Sequence, residues 1–335
     1  MKKLNVLSLF DGISAGQMAL KKAEIEVDKY FASEIDKHAI HVTNKNFPNT
    51  VQLGDITKWR EWDIDWKSID LVMGGSPCQG FSFAGKQLNF EDPRSKLFFV
   101  FLDICNHVAD NNPKMIFLLE NVKMKKEYQN VISEKLGIEP IEINSALVSA
   151  QNRKRLYWTN IRNIKQPEDK GVLLKDITID GINQIGAQRG RYLINGKTVQ
   201  RLELRKDNKT NTLTTVQKDN ILVIEDFEKY FPSEKLLKNY AGGNQLNPKY
   251  KSQANTIHGG EKFPTLCAGT HGYANGYIFT KFDGKIIRRL TPVECERLQT
   301  FPDNYTEGVS DTQRYKALGN SWTVDVIVHI FKNLI

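Results

Sequence analysis

Cys78 follows an apolar run with an acidic start, Asp70-Leu71-Val72-Met73, and a short linker, Gly74-Gly75-Ser76-Pro77. A run this short and apolar, stopped by two glycines, predicts a buried parallel strand. The thiol then stands just beyond the carboxyl end of a strand, where open α/β sheets bind their ligands. Pro77 stiffens the backbone ahead of it, and Gly74, Gly75, Gly80 and Gly85 predict a loop free to move. A displayed thiolate is a nucleophile that divides one hard step into two easier ones. Taken singly, the same residue also reads as a buried structural cysteine.

A second apolar run, Lys114-Met115-Ile116-Phe117-Leu118-Leu119, ends in Glu120-Asn121-Val122. It predicts a neighbouring strand with the Glu120 carboxylate at the same sheet edge as Cys78; a helix cap is the competing reading. Gln151-Asn152-Arg153-Lys154-Arg155 separates β-like stretches around 139–149 and 155–162. In extended chain, alternate residues share a face, so Arg153 and Arg155 are expected to point the same way.

The elements that must position these groups read as a doubly wound sheet. Residues 4–10 predict a first buried strand, Asp11-Gly12-Ile13-Ser14-Ala15-Gly16 a glycine turn, and a helix runs to about Lys22. Such a corner brings backbone and a helix N-terminus to a nucleotide, although GxGxxG is not matched. A second strand, Tyr30-Phe31-Ala32-Ser33, ends at Glu34-Ile35-Asp36, and Gly54-Asp55-Ile56 follows a short third. Acids at successive strand ends suit the hydroxyls of a nucleoside-containing cofactor. Asp92-Pro93-Arg94-Ser95 leads into a helix at about 96–109. From about 165 periodicity weakens, and short β-like pieces such as Arg191-Tyr192-Leu193-Ile194 and Lys197-Thr198-Val199 flank the turn Asn195-Gly196. Order returns near 286: Thr291 caps a helix with Pro292 in its first position, running to about Leu298. Gly319-Asn320-Ser321 is read as the cap of a terminal helix at 322–333, with Val324, Ile327, Val328 and Phe331 facing the main sheet.

Charge is unevenly spread over the 335 residues: 151–290 hold 25 Lys and Arg against 13 Asp and Glu, the remainder 22 against 26. A basic segment beside a slightly acidic body points to a polyanionic partner. No apolar run approaches the ~20 residues of a membrane span, and the opening Met1-Lys2-Lys3-Leu4 carries no signal peptide. Cys78, Cys105, Cys267 and Cys295 form no CxxC pair, and His258 and His271 lie near Cys267 at no ligand spacing, so no metal is expected. The expected setting is reducing and cytoplasmic.

In this order, the motifs resemble the cytosine-C5 DNA methyltransferase family of bacterial and phage type. Phe10-Asp11-Gly12-Ile13-Ser14-Ala15-Gly16 is similar to its cofactor motif, and Pro77-Cys78-Gln79 with Phe81-Ser82 and Gly85-Lys86-Gln87 to its nucleophile loop. Glu120-Asn121-Val122 resembles its ENV, and Gln151, Arg153 and Arg155 its QxRxR. Arg289-Leu290-Thr291-Pro292 with Glu294, Gln299 through Pro302, and Gly319-Asn320-Ser321 fit its last motifs. Two positions depart: Ser14 stands where glycine is usual, and Trp322 where a small β-branched residue is common, narrowing the pocket near the cofactor's amino-acid end.

The resemblance implies an α/β fold: a Rossmann-like, S-adenosylmethionine-dependent sheet with a smaller, loop-rich β target-recognition domain. It divides the chain into a catalytic domain over residues 1–164, a recognition domain over residues 165–285 and a return segment over residues 286–335. It makes Cys78 the nucleophile toward cytosine C6 and Glu120 the partner of N3 and the exocyclic amine. Arg155 is placed near O2, with Arg153 and Arg155 supplying the positive setting a thiolate needs. Phe10, Asp11, Gly12, Ile13, Ser14, Glu34, Ile35, Asp55, Ile56, Pro77, Leu97, Asn320 and Ser321 are implied cofactor contacts. Gln79, Ser82, Gln87, Arg201, Arg205 and Thr212 or Thr265 (each followed by Leu) are implied DNA contacts. The expected partner is double-stranded DNA, bound by a monomer in a bacterial cytoplasm or phage-infected host, with no membrane. A tRNA cytosine-C5 methyltransferase and a catalytically inactive DNA-binding relative share these motifs.

Overall fold

The structure, a computed structural model, describes residues 3–76, 96–179, 181–194, 197–215, 219–224, 279–282 and 285–334. In chain order the elements are β1 (Leu4–Leu9), α1 (Ala15–Lys22), β2 (Val27–Ser33), α2 (Lys37–Asn46), β3 (Val51–Gln52), β4 (Leu71–Gly74), α3 (Lys96–Asn111), β5 (Ile116–Val122), α4 (Lys126–Leu136), β6 (Ile141–Asn144) and β7 (Lys154–Thr159). There follow α5 (Leu174–Ile177), β8 (Ile185–Ile194), β9 (Lys197–Leu204), β10 (Ile221–Ile224), β11 (Phe279–Phe282), β12 (Lys285–Arg289), α6 (Pro292–Leu298), α7 (Asp311–Asn320) and α8 (Val324–Phe331).

The chain divides into two compact units, residues 1–171 with 296–335, and residues 172–295. The first is built on a seven-stranded sheet in the order β3-β2-β1-β4-β5-β7-β6. From β3 to β5 the pairs are parallel, and β7 runs antiparallel to both β5 and β6. Strand order reverses between β1 and β4, so their carboxyl ends flank the crevice in which such sheets bind ligands. One face is covered by α3, whose Phe98, Phe101, Ile104 and Val108 pack on Leu7, Leu9, Val72 and Leu119. Those strands are apolar on consecutive residues because both faces are covered.

The terminal helix differs from its expectation. It spans Val324–Phe331 with Thr323 at its N-cap and packs against α1, with Val324, Ile327 and Phe331 buried as expected. Val326 and Ile330 are buried in it, whereas Val328 is half-buried. Gly319 and Asn320 close a separate helix, α7, which the residue pattern did not predict. Its signal was present: Ser310 followed three residues on by Gln313 is a capping-box pattern.

The second unit holds a five-stranded antiparallel sheet, β11-β12-β10-β8-β9. Its β8–β9 hairpin is longer than the sequence suggested, and Ile194 pairs with Lys197 across two intervening residues. The Arg288 guanidinium, in β12, is fully buried against Glu294, donating at 2.9 and 2.8 Å. Glu294 also accepts from the Thr291 and Ile179 amides, and its own amide donates to Thr291 Oγ1. The unit begins and ends about seven to ten residues beyond the expected 165 and 285. The physical reason is local: Gln166 and Lys170 bond Glu142 O, Leu147 O and Asp325 of the first unit, whereas β12 belongs to the second unit's sheet.

Candidate active site

The loop leaving β1 is wound through three positive φ angles, Phe10 at 56°, Gly12 at 59° and Ser14 at 56°. At Ser14 this is the left-handed conformation that glycine adopts without cost, which accounts for the usual glycine there. Serine is held by its hydroxyl, which donates to Asp11 Oδ2 and accepts from Thr43 Oγ1 at 3.1 Å. Ser14 is wholly buried and is not among the residues lining the cavity described below. Tyr30 OH donates to Asp11 Oδ1 at 2.7 Å. Burial pushes the Asp11 carboxyl up to about 6 against these bonds, with the Glu34 charge adding to the rise.

Glu34 gathers three amides at the end of β2. Oε2 accepts from Gly12 N at 2.8 Å, and Oε1 from Ile35 N and Asp36 N, both at 2.8 Å. Asp36 caps α2 and takes Lys316 Nζ at 2.6 Å, a bond that holds its carboxyl below the usual range. Asp55, after β3, is held low by the amide and hydroxyl of Thr57. Ile35 is 75% exposed and offers an apolar face to whatever lies over it.

These residues line a cavity of about 620 Å³ in the first unit. Of the expected cofactor contacts, Phe10, Asp11, Gly12, Ile13, Glu34, Ile35, Asp55, Ile56, Leu97, Asn320 and Ser321 line it, and so do Glu120, Arg153 and Arg155. Gln313, Lys316 and Trp322 line it as well. The first two come from α7 and were not foreseen because that helix was not.

Glu120 lies inside β5, opposite Tyr157 of β7, rather than after the strand. Its Oε1 forms an ion pair with Arg155, whose Nε stands 2.9 Å away, and its Oε2 accepts from Trp322 Nε1 at 3.2 Å. Arg153 behaves differently from Arg155. It precedes β7, is buried, and donates from Nη2 to Ser321 O at 2.9 Å and Gly319 O at 3.3 Å. It therefore clamps the segment that carries Asn320 and Ser321. Gln151 and Gln299 extend the clamp: Gln151 Nε2 reaches Leu298 O and Gln299 Oε1, and Gln299 Nε2 reaches Leu318 O at 2.7 Å.

Pro77, Cys78, Gln79, Ser82, Gln87 and Thr265 lie outside the described residues, as do His258, Cys267, His271, Tyr273 and Tyr277. The described chain reaches Ser76, two residues before Cys78, where Asn121 Nδ2 bonds its Oγ at 3.2 Å. Gly74 and Gly75 serve close approach rather than looseness. A Cβ on Gly74 would stand 2.7 Å from Leu9 O. Cys105 and Cys295 are buried, and burial pushes the Cys105 thiol far up, which removes it as a nucleophile. Of the expected DNA contacts, Arg201 is exposed on β9, opposite Arg189. Arg205 is tied within its own unit to Asp207 and to Asn211 Oδ1 at 2.6 Å. The Thr212 carbonyl accepts from Asn220 Nδ2 at 3.3 Å, and Leu213 is buried. No cluster of metal-binding side chains occurs among the described residues. No helix among them is long and apolar enough to cross a membrane.

The chain is 32% identical to the type II methyltransferase M1.ScrFI of Lactococcus lactis subsp. cremoris, over 99% of its own length and 78% of the relative's. It is 28% identical to the type II methyltransferase M.HhaI of Haemophilus parahaemolyticus, over 99% and 94%. Its fold matches a Spodoptera frugiperda DNMT2 variant with a TM-score of 0.58 at 20% identity, covering 99% of both chains. It also matches the Entamoeba histolytica methyltransferase EhMeth with a TM-score of 0.59 at 18% identity, covering 100% of both. Residues 4–335 match the family described as C-5 cytosine-specific DNA methylase, and the chain belongs to that family.

Proposed function

We propose that this chain methylates C5 of cytosine in double-stranded DNA, with Cys78 as its nucleophile and Glu120 as its cytosine-reading carboxylate. The observation that carries this reading is the Arg155–Glu120 pair at the carboxyl edge of the sheet, on the wall of the cavity that holds the β1 and β2 strand-end loops. Family members use S-adenosylmethionine. When bound, it supplies an electrophilic methyl group. The cavity suits it in size and in donor set: strand-end carboxylates Glu34 and Asp55 for hydroxyl and amino groups, Ile35 and Ile56 for a flat apolar ring. Asp11 lines the same cavity, buried and raised to about 6, where a cationic sulfonium amino acid would favour its ionised form. Phe10, Gly12, Ile13, Leu97, Asn320 and Ser321 complete the set, with Pro77 assigned by its motif.

The chemistry then follows from electron demand. Cytosine C5 is a poor nucleophile until a thiolate bonds to C6, which turns the ring into an enamine. Glu120 bonds the N3 and exocyclic amine edge and relieves the charge that addition puts on the ring. Arg155 fixes that carboxylate and offers a cation toward O2. Loss of the C5 proton with cleavage of the C6–S bond restores the ring and frees Cys78. None of this can happen inside a duplex, so the base must be flipped out, at a cost of a few kcal/mol. Residues 172–295, which carry most of the basic excess, are assigned to reading the DNA.

Bisulfite sequencing of DNA from cells expressing the chain tests this directly. Conversion-resistant cytosines in one short sequence context are expected. Tritiated S-adenosylmethionine that labels tRNA but not duplex DNA would overturn the choice of substrate.

A further inference from the structure

We propose that Trp322 is a positioning residue for Glu120, an inference that rests on the cytosine-reading role given to that carboxylate. A carboxylate has about four acceptor sites, two on each oxygen. The Arg155 cation stands 2.9 Å from Oε1 on one side, and Trp322 Nε1 donates to one site on Oε2. One site remains on each oxygen, which is what a flipped cytosine needs. Its exocyclic N–H and protonated N3–H are adjacent donors that bind best to two separate oxygens.

The indole also guards this arrangement. The terminal carboxylate torsion is broad, and an arginine beside a carboxylate tends toward the two-point fork. Without a donor on Oε2, Arg155 is free to chelate both oxygens and withdraw one from the base. The surroundings are shaped around the bond. A methyl group on Gly75 would lie 3.0 Å from Glu120 Oε2 and 3.0 Å from Trp322 Nε1, close enough to press on both ends of the bond. The far edge of the ring packs toward Gly16 at the start of α1. Ser321, the residue before it, is held through its carbonyl by Arg153.

Two measurements test this. The chain has 5 tryptophans, so ¹⁵N spectra carry up to five indole signals, and the one missing from Trp322→Phe identifies Trp322. Glu120→Ala should move that signal upfield as its acceptor is lost. In steady-state assays with tritiated S-adenosylmethionine and amplified, methylation-free genomic DNA, Trp322→Phe should lower kcat roughly tenfold, the scale of one hydrogen bond to a charged group. The KM for S-adenosylmethionine, and S-adenosylhomocysteine affinity by calorimetry, should stay within about twofold. Gly75→Ala should lower kcat in the same direction, which keeps the test open if Trp322→Phe folds poorly. An indole signal unmoved by Glu120→Ala, or a kinetic loss lying wholly in cofactor KM, would overturn the proposal and leave Trp322 a wall of the cavity. Failure of the wild-type chain to methylate any DNA would instead overturn the functional reading, with the indole signal still reporting the bond.

Discussion

Asp11→Asn should make the protein more stable at neutral pH and weaken its hold on a cationic cofactor. Asp11 is buried among Ser14, Tyr30 and Glu34, and burial raises its carboxyl from 3.8 to about 6. The folded state therefore binds the proton more tightly than the unfolded chain does. Between pH 4 and 6 the unfolded chain is ionised here and the folded state is not, so stability falls as pH rises through that window. Above pH 6 the penalty is constant, at about 3 kcal/mol for a rise of this size. Asparagine removes that penalty, but it costs a fixed amount wherever the Ser14 and Tyr30 hydroxyls lose part of their acceptor. The diagnostic quantity is the stability of Asp11→Asn minus that of wild type, which should rise by about 2.4 kcal/mol from pH 4 to pH 7.5. Asp36, Asp55, Asp303 and Asp325, all held below the usual range, lose stability as pH falls in both proteins and cancel from the difference. Urea denaturation followed by near-ultraviolet circular dichroism at the two pH values measures it. Calorimetry at pH 7.5 should show weaker S-adenosylmethionine binding by Asp11→Asn, since the ionised carboxylate is the form that meets a cation. A difference that does not change with pH would refute the reasoning, because the burial of an ionisable group would then carry no weight here.

Cys78→Ala should abolish methyl transfer and leave DNA binding intact in a gel-shift assay; measurable transfer by this variant would end the covalent mechanism. Glu294→Ala removes one partner of a fully buried ion pair, so the second unit should lose about 3–5 kcal/mol and become protease-sensitive well before the first. At Ser14, with φ 56°, alanine should be worse than glycine by about 1 kcal/mol in denaturation experiments, because both lose the hydroxyl bonds but only glycine is free of left-handed strain.

Local sequence carried much of the architecture because parallel strands covered on both faces must be apolar throughout. Residues 4–9, 71–74 and 116–119 announced themselves in that way, and the chain punctuates their ends with the groups that do chemistry. The order of motifs that resembles the family grouped the β1 loop, Glu34, Asp55, Glu120 and the two arginines, which line one cavity. The capping box at Thr291 and Glu294 could be read as a helix start from residue types alone.

Other features depended on partners far away in sequence. Arg153 and Arg155 are two residues apart and read as equals, yet one clamps Gly319 and Ser321 while the other pairs with Glu120. Which role each takes is set by where β7 begins beside β5 and by what the return segment lays against it. Helix α7 has only a short apolar stripe to mark it, with Leu318 and Gly319 its buried residues. Gly74 and Gly75 suggested slack, but the missing side chains make room for Leu9 O and for the Trp322–Glu120 bond. Trp322 shows the limit most plainly. From sequence it was a bulky residue at an unusual place. Only the tertiary fold sets its indole N–H against a carboxylate 202 positions earlier, because a hydrogen bond depends on distance and direction in space, and no local pattern encodes either.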